Sequence, residues 1–188
     1  MVKFKLIKDA VWDRINNNIT DKISDPEFLK KNIIELNVKN WIITLDTYTS
    51  RDSVYTRIRT PYVNTSGFHF KIFRKGLMSN VMKLFGMQDI EIGDTDFDND
   101  FIIQSDDTEK VKNMLSDRVL RELISEQPTI FIQVKNDEGW FNEAFPNGVD
   151  ELYIEVKSVI SNIDQLESLY NIFTKILDYL CSISSEYS

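Results

Sequence analysis

The residues whose types and spacing could carry chemistry fall into three groups, and the first is acidic. Residues 89–107, DIEIGDTDFDNDFIIQSDD, hold eight carboxylates and no Lys or Arg, in a chain of 188 residues with 30 acids, 22 bases and a formal charge of −8. Asp94, Asp96, Asp98 and Asp100 alternate with the oxygen-rich spacing of a calcium loop. The register fails where it matters. Counted from Asp94, the sixth residue is Asn99 rather than Gly, and the twelfth is Ser105 rather than Glu. In an extended segment these four aspartates share one side, and their mutual repulsion favours a cation or a basic protein partner. The competing reading is a solvated acidic loop that caps the following helix.

The second group is basic. Residues 51–83 carry Arg51, Arg57, Arg59, Lys71, Arg74, Lys75 and Lys83 against one acid, Asp52. In a strand Arg57 and Arg59 point to one side, and if strands 54–60 and 68–74 pair, His69 and Lys71 lie beside them. Such a face binds a small anionic ligand, a phosphate or carboxylate. The alternative is internal neutralisation by the acidic stretch. The third group is aromatic: Trp140, Phe141 and Phe145 in the loop GWFNEAFP offer a protein contact site. His69, the one histidine, has no Ser or Cys nucleophile with a supporting motif, and Cys181 falls in the last turns of a helix. No phosphate-cradling, dinucleotide, zinc or nucleophile-elbow motif occurs, so no catalytic residue and no cofactor are assigned.

The elements that must position these groups follow from periodicity. Val11, Ile15, Ile19 and Ile23 make a helical stripe, and Ser24, Pro26 and Glu27 open a second helix, so residues 5–36 read as a helical segment. From Trp41 the period changes to two. WIITLDTY, VYTRIRT and FHFKIF read as a three-strand meander, with turns at 49–53 and 64–67. Residues 77–85 fit a short helix ending at Gly86. Phe101, Ile102 and Ile103 form a buried strand, and Asp107 or Thr108 caps one helix with Val111, Met114, Leu115, Val119 and Leu123 on its apolar side, stopped by Pro128. TIFIQV and ELYIEV are two more strands, and a wide apolar stripe from Ile163 to Ile183 marks the last helix. That stripe could also seam a homodimer; packing on the sheet is the alternative, leaving monomer or homodimer open.

The segment from Asp94 to Leu123 is similar to one found in uncharacterised bacterial proteins carrying a domain of unknown function. Phe97, Phe101, Ser105 and Asp107 match their Phe-x-x-x-Phe-x-x-x-Ser-x-Asp run ahead of a helix. Met114-Leu115-Ser116-Asp117 stands where those proteins have Leu-Leu-Thr-Pro. The resemblance implies strand-then-helix here and no activity.

Taken together, residues 1–188 read as a single α+β domain: a mostly antiparallel sheet of about six strands over 41–183 with helices packed against it. A sequence pI near 4.7 argues against nucleic acid as a partner. No stretch nears the roughly twenty apolar residues of a membrane span. One cysteine and no leader pattern point to the cytoplasm. Three functions are compatible with this: a non-catalytic interaction or ligand-binding module, a hydrolase or transferase for an anionic substrate using the basic strands and acidic loop, and an acidic immunity or inhibitor protein for a basic partner.

Overall fold

Runs of β-branched and aromatic residues with period-two alternation become strands, and three aspartates with apolar residues behind them start helices. The computed structural model describes residues 33–38, 41–50, 52–76, 88–136, 145–158, 160 and 163–185. Its elements, in chain order, are β1 (Ile33–Val38), β2 (Trp41–Ser50), β3 (Ser53–Val63), β4 (Phe70–Arg74), β5 (Gln88–Asp89), α1 (Thr95–Asp100), β6 (Phe101–Ser105), α2 (Thr108–Leu115), α3 (Arg118–Ser125), β7 (Ile130–Lys135), β8 (Val149–Val156) and α4 (Ile163–Ser185). They form an α+β domain around one sheet of eight strands, ordered β1-β2-β3-β8-β7-β4-β6-β5, with every pairing antiparallel.

The six strands expected from the sequence are all present, and the two additions, β1 and β5, sit at the two edges. β1 corrects the helical reading of 33–36. Its β-branched Ile33, Ile34 and Val38 favour an extended chain, which pairs along its whole length with β2. The helices read at 5–32 and 77–85 lie outside the described residues. The meander is also corrected. β2 and β3 form the expected hairpin, closed at Ser50↔Ser53, but β4 does not pair with β3. β8 takes that place, and β4 lies two strands further on, between β7 and β6.

Strand alternation divides the sheet into two faces. Ile43, Leu45, Ile58, Leu152, Ile154, Ile132, Ile72 and Ile103 project to one face and are buried there. α4 covers this face with Leu169, Ile172, Phe173, Ile176 and Leu180, while α2 and α3 add Val111, Leu115, Leu120 and Ile124. Each such side chain contributes roughly 1.5–3 kcal/mol by leaving water. The Tyr179 hydroxyl donates to the Lys110 carbonyl (2.8 Å), tying α4 to α2.

The helix expected after Asp107 is two helices. Asp107 accepts from the Lys110 N–H (3.0 Å) and caps α2. Asp117 then accepts from the N–H groups of Val119 and Leu120 and caps α3. The cap turns the chain, so Val119 leaves the apolar side and is 52% exposed.

Candidate functional site

The opposite face of the sheet is built from charged and aromatic side chains, and register assembles them into rows across the strands. One row runs Asp46, Arg57, Glu155, Phe131, Phe73. The next runs Thr44, Arg59, Tyr153, Gln133, Lys71, Gln104. A third places Pro61, Glu151 and Lys135 together. Tyr48 and Tyr55 stand opposite each other and stack with centroids 5.2 Å apart.

Of the three carboxylates that β2 and β8 place on this face, two are neutralised within the sheet. Asp46, buried, forms a bidentate pair with Arg57: Nε donates to Oδ1, and Nη2 donates to Oδ2 at 3.0 Å. Burial works against the charge of this guanidinium, but its hydrogen bonds to the Asp46 carboxylate and that group's charge outweigh it and hold the Arg57 pKa above its ordinary value. Arg59 reaches Glu151 at 3.3 Å and Asp46 at 3.7 Å. Glu151 is 1% exposed and also takes the Lys135 ammonium at 3.1 Å. The third carboxylate differs. Glu155 Oε2 accepts from the hydroxyls of Tyr48 (2.6 Å) and Tyr153 (2.5 Å), and among the described residues Glu155 makes no ion pair. Burial, reinforced by the bond to Glu155, pushes the Tyr48 pKa up to about 12. Burial and the Glu155 charge raise Tyr153 as well. Both phenols therefore stay protonated donors.

Glu155 also lines a cleft of about 380 Å³, with Tyr55, Phe131, Gly76, Thr129 and Lys157. Tyr55 and Phe131 lie on strands that flank β8 on either side, and both project to the charged face. The cleft thus joins an unpaired acid to two aromatic rings.

The sequence candidates are distributed differently from their expected grouping. Arg57 and Arg59 lie on the charged face, and their pairing partners are Asp46 and Glu151 rather than the acidic stretch. Lys71 shares a row with Arg59, separated by Tyr153 and Gln133, and its ammonium lies 5.9 Å over the Phe131 ring. His69 sits one residue before β4, at the end of the sheet where β8 begins. Its Nδ1 faces the Gly67 carbonyl (2.9 Å) and Asp106 (3.2 Å), and its Nε2 lies 2.9 Å from Asp150. Only the doubly protonated ring can offer hydrogen to both sides. Contact with the Asp150 carboxylate overcomes burial and raises the His69 pKa to about 9.

The acidic run is not extended. Gly93, at φ 86°, and the Asp94 cap turn it into α1, so the aspartates spread around a helical turn. Asp94 accepts from the Phe97 N–H (3.2 Å) and pairs with Arg121 (2.9 Å); the backbone bond, ahead of the arginine, lowers its pKa. The Asp98 carboxylate accepts from the Ile92 and Gly93 N–H groups. Asp100 pairs with Arg74 at 2.6 Å, and Asp96 is exposed. No grouping of three metal-ligating side chains occurs among the described residues. Three strands, β8, β7 and β4, separate Arg57 and Arg59 from β6, which follows this turn. Trp140 and Phe141 lie outside the described residues; the Phe145 N–H donates to the Asn136 carbonyl (3.2 Å).

Sequence reasoning missed Asp46, Tyr48, Glu151, Tyr153 and Glu155. The available signal was alternation: Glu151, Tyr153 and Glu155 interleave with Leu152, Ile154 and Val156, placing polar and apolar residues on opposite faces.

No family model matches the chain, and no curated protein matches it. Among solved structures the chain is similar to the mycobacterial trehalose monomycolate transport factor A, TtfA, with 13% sequence identity and a TM-score of 0.51 over 79% of this chain and 71% of that one. At that identity the likeness shows the fold alone. No helix among the described residues is long and apolar enough to cross a membrane.

Proposed function

We propose that this chain is a non-catalytic interaction module of the cytoplasm that takes a protein partner on the charged face of its sheet. One observation carries the reading: a cleft on that face brings Glu155, a carboxylate with no ion pair among the described residues, between two aromatic rings, while Asp46, Glu151, Arg57, Arg59 and Lys135 are paired with one another. Aromatic rings and arginines are enriched at the centre of contact surfaces, so two rings flanking an acid form a seat for a partner's arginine. An enzyme for an anionic substrate would need Arg57 and Arg59 to converge with Asp96, Asp98 and Asp100, and three strands stand between them.

The test is co-purification from the source cells with tagged wild type and with a Tyr55→Ala/Phe131→Ala variant, after matching their thermal unfolding. The expected result is a partner retained by the wild type and lost by the variant. An identical set of proteins on both, or none on the wild type, overturns the reading.

A further inference from the structure

Resting on the charged face as the docking surface, we infer that Glu155 receives a cationic side chain, the guanidinium of an arginine on a basic protein partner. Five carboxylates stand on this face: Glu35 and Asp89 lie on the two edge strands, and of the three on β2 and β8 two have their counter-ions within the chain, Asp46 with Arg57 and Arg59, Glu151 with Arg59 and Lys135. Glu155 has none among the described residues. Its Oε2 is occupied by two tyrosine hydroxyls, which orient the carboxylate and leave its charge in place. Oε1 carries no hydrogen bond from the described residues, and the group is half-buried at the wall of the 380 Å³ cleft.

An acid held by neutral donors in a cleft is the complement of a cation. Guanidinium suits it better than ammonium for two reasons. It is the more weakly hydrated cation, and its plane stacks on aromatic faces while its edge donates to the acid. Tyr55 and Phe131 line the cleft beside Glu155, and the sheet already shows this arrangement internally, with Arg57 lying 4.7 Å over the Tyr48 ring. Lys157 also lines the cleft; it is exposed and makes no ion pair with Glu155. The chain's formal charge of −8 draws a basic partner from a distance.

The probe is N-acetyl-arginine amide, titrated into the full chain while the Tyr55 and Phe131 ring resonances are followed by NMR. The neutral isostere N-acetyl-citrulline amide and inorganic phosphate serve as comparisons. The arginine compound is expected to shift both rings, and the other two are not. Glu155→Gln keeps the tyrosine bonds and removes the charge, so it should weaken arginine binding roughly tenfold or more. Tyr55→Ala leaves the carboxylate intact and should weaken it about two- to fivefold; this variant decides the matter if Glu155→Gln does not fold. Equal shifts from citrulline, unchanged binding by the variants, or a response to phosphate alone would overturn the inference. If the co-purified partner still depends on Tyr55 and Phe131 while arginine elicits nothing, the docking face stands and only its cation is lost. Absence of both removes the docking face as well.

Discussion

The two faces of this sheet use the same backbone and opposite physics. On one, isoleucines and leucines from alternate positions meet α4, and stability comes from apolar area removed from water. On the other, the intervening positions carry arginines, acids and tyrosines whose burial is tolerable only because each finds a partner. The first face is robust to the choice of apolar residue, since shape and volume are its only demands. The second depends on pairs, so removing one member strands another. That difference makes the charged face the more sensitive to single substitutions, and Glu155, which has no counter-ion among the described residues, is the proposed point at which a partner docks.

The largest expected effect breaks the apolar face. Phe173→Ala empties a fully buried position under the sheet and should cost about 3–5 kcal/mol, read from urea unfolding. Glu151→Ala breaks the charged face instead. It leaves Arg59 and Lys135 facing one another without their acid, and because both remain partly exposed the loss should be about 2–4 kcal/mol. A Glu151→Ala protein as stable as wild type would mean that the pairs contribute nothing beyond mutual neutralisation.

pH separates the regions further. The folded-state pKa of His69 is raised to about 9 from the usual 6.5, so its contribution is complete below about pH 6.5 and fades as pH rises through about 9. On the acid side the caps act in the opposite sense. Bonds from backbone N–H groups, chiefly those of Phe97 and Lys110, lower the pKa of Asp94 and Asp107, so their contribution is present above the ordinary carboxylate range and lost as pH falls below it. The urea midpoint should therefore form a plateau between these limits. His69→Gln should flatten its alkaline edge and leave the acid edge unchanged; an unaltered alkaline edge would contradict the His69–Asp150 contact. The smallest effect belongs to the helix junction. Asp117→Ala removes the cap of α3 and its 2.6 Å pair with Lys175, at a cost of about 1 kcal/mol by thermal unfolding.

Much of the fold was legible in the residues. Period-two runs located six strands, Asp107 announced a helix start, and the stripe from Ile163 to Ile183 announced α4. What misled was local pattern without context. The alternating aspartates of 94–100 suggest a strand-like loop, yet Gly93 and the Asp94 cap fold them into a turn of helix. The second helix, opened at Ser24, reads on to about Leu36 on paper, and pairing with β2 makes Ile33 to Leu36 a strand. The candidate site was half visible: Arg57 and Arg59 stood out as charges in a strand, while Asp46, Glu151 and Glu155 did not, because single acids in separate strands form no motif.

Sequence alone located six of the strands and the last helix, and determined which of their sides are apolar and that the charge is uneven along the chain. These are local properties, set by side-chain shape and spacing within a few residues. Only the tertiary structure decided that β8 rather than β4 lies beside β3, and with it that Arg59 meets Glu151 while Glu155 stands in register with Arg57 without pairing to it. Strand neighbours are chosen by how the whole apolar face closes over α4. Once that closure is made, the opposite face inherits its pairs from the register.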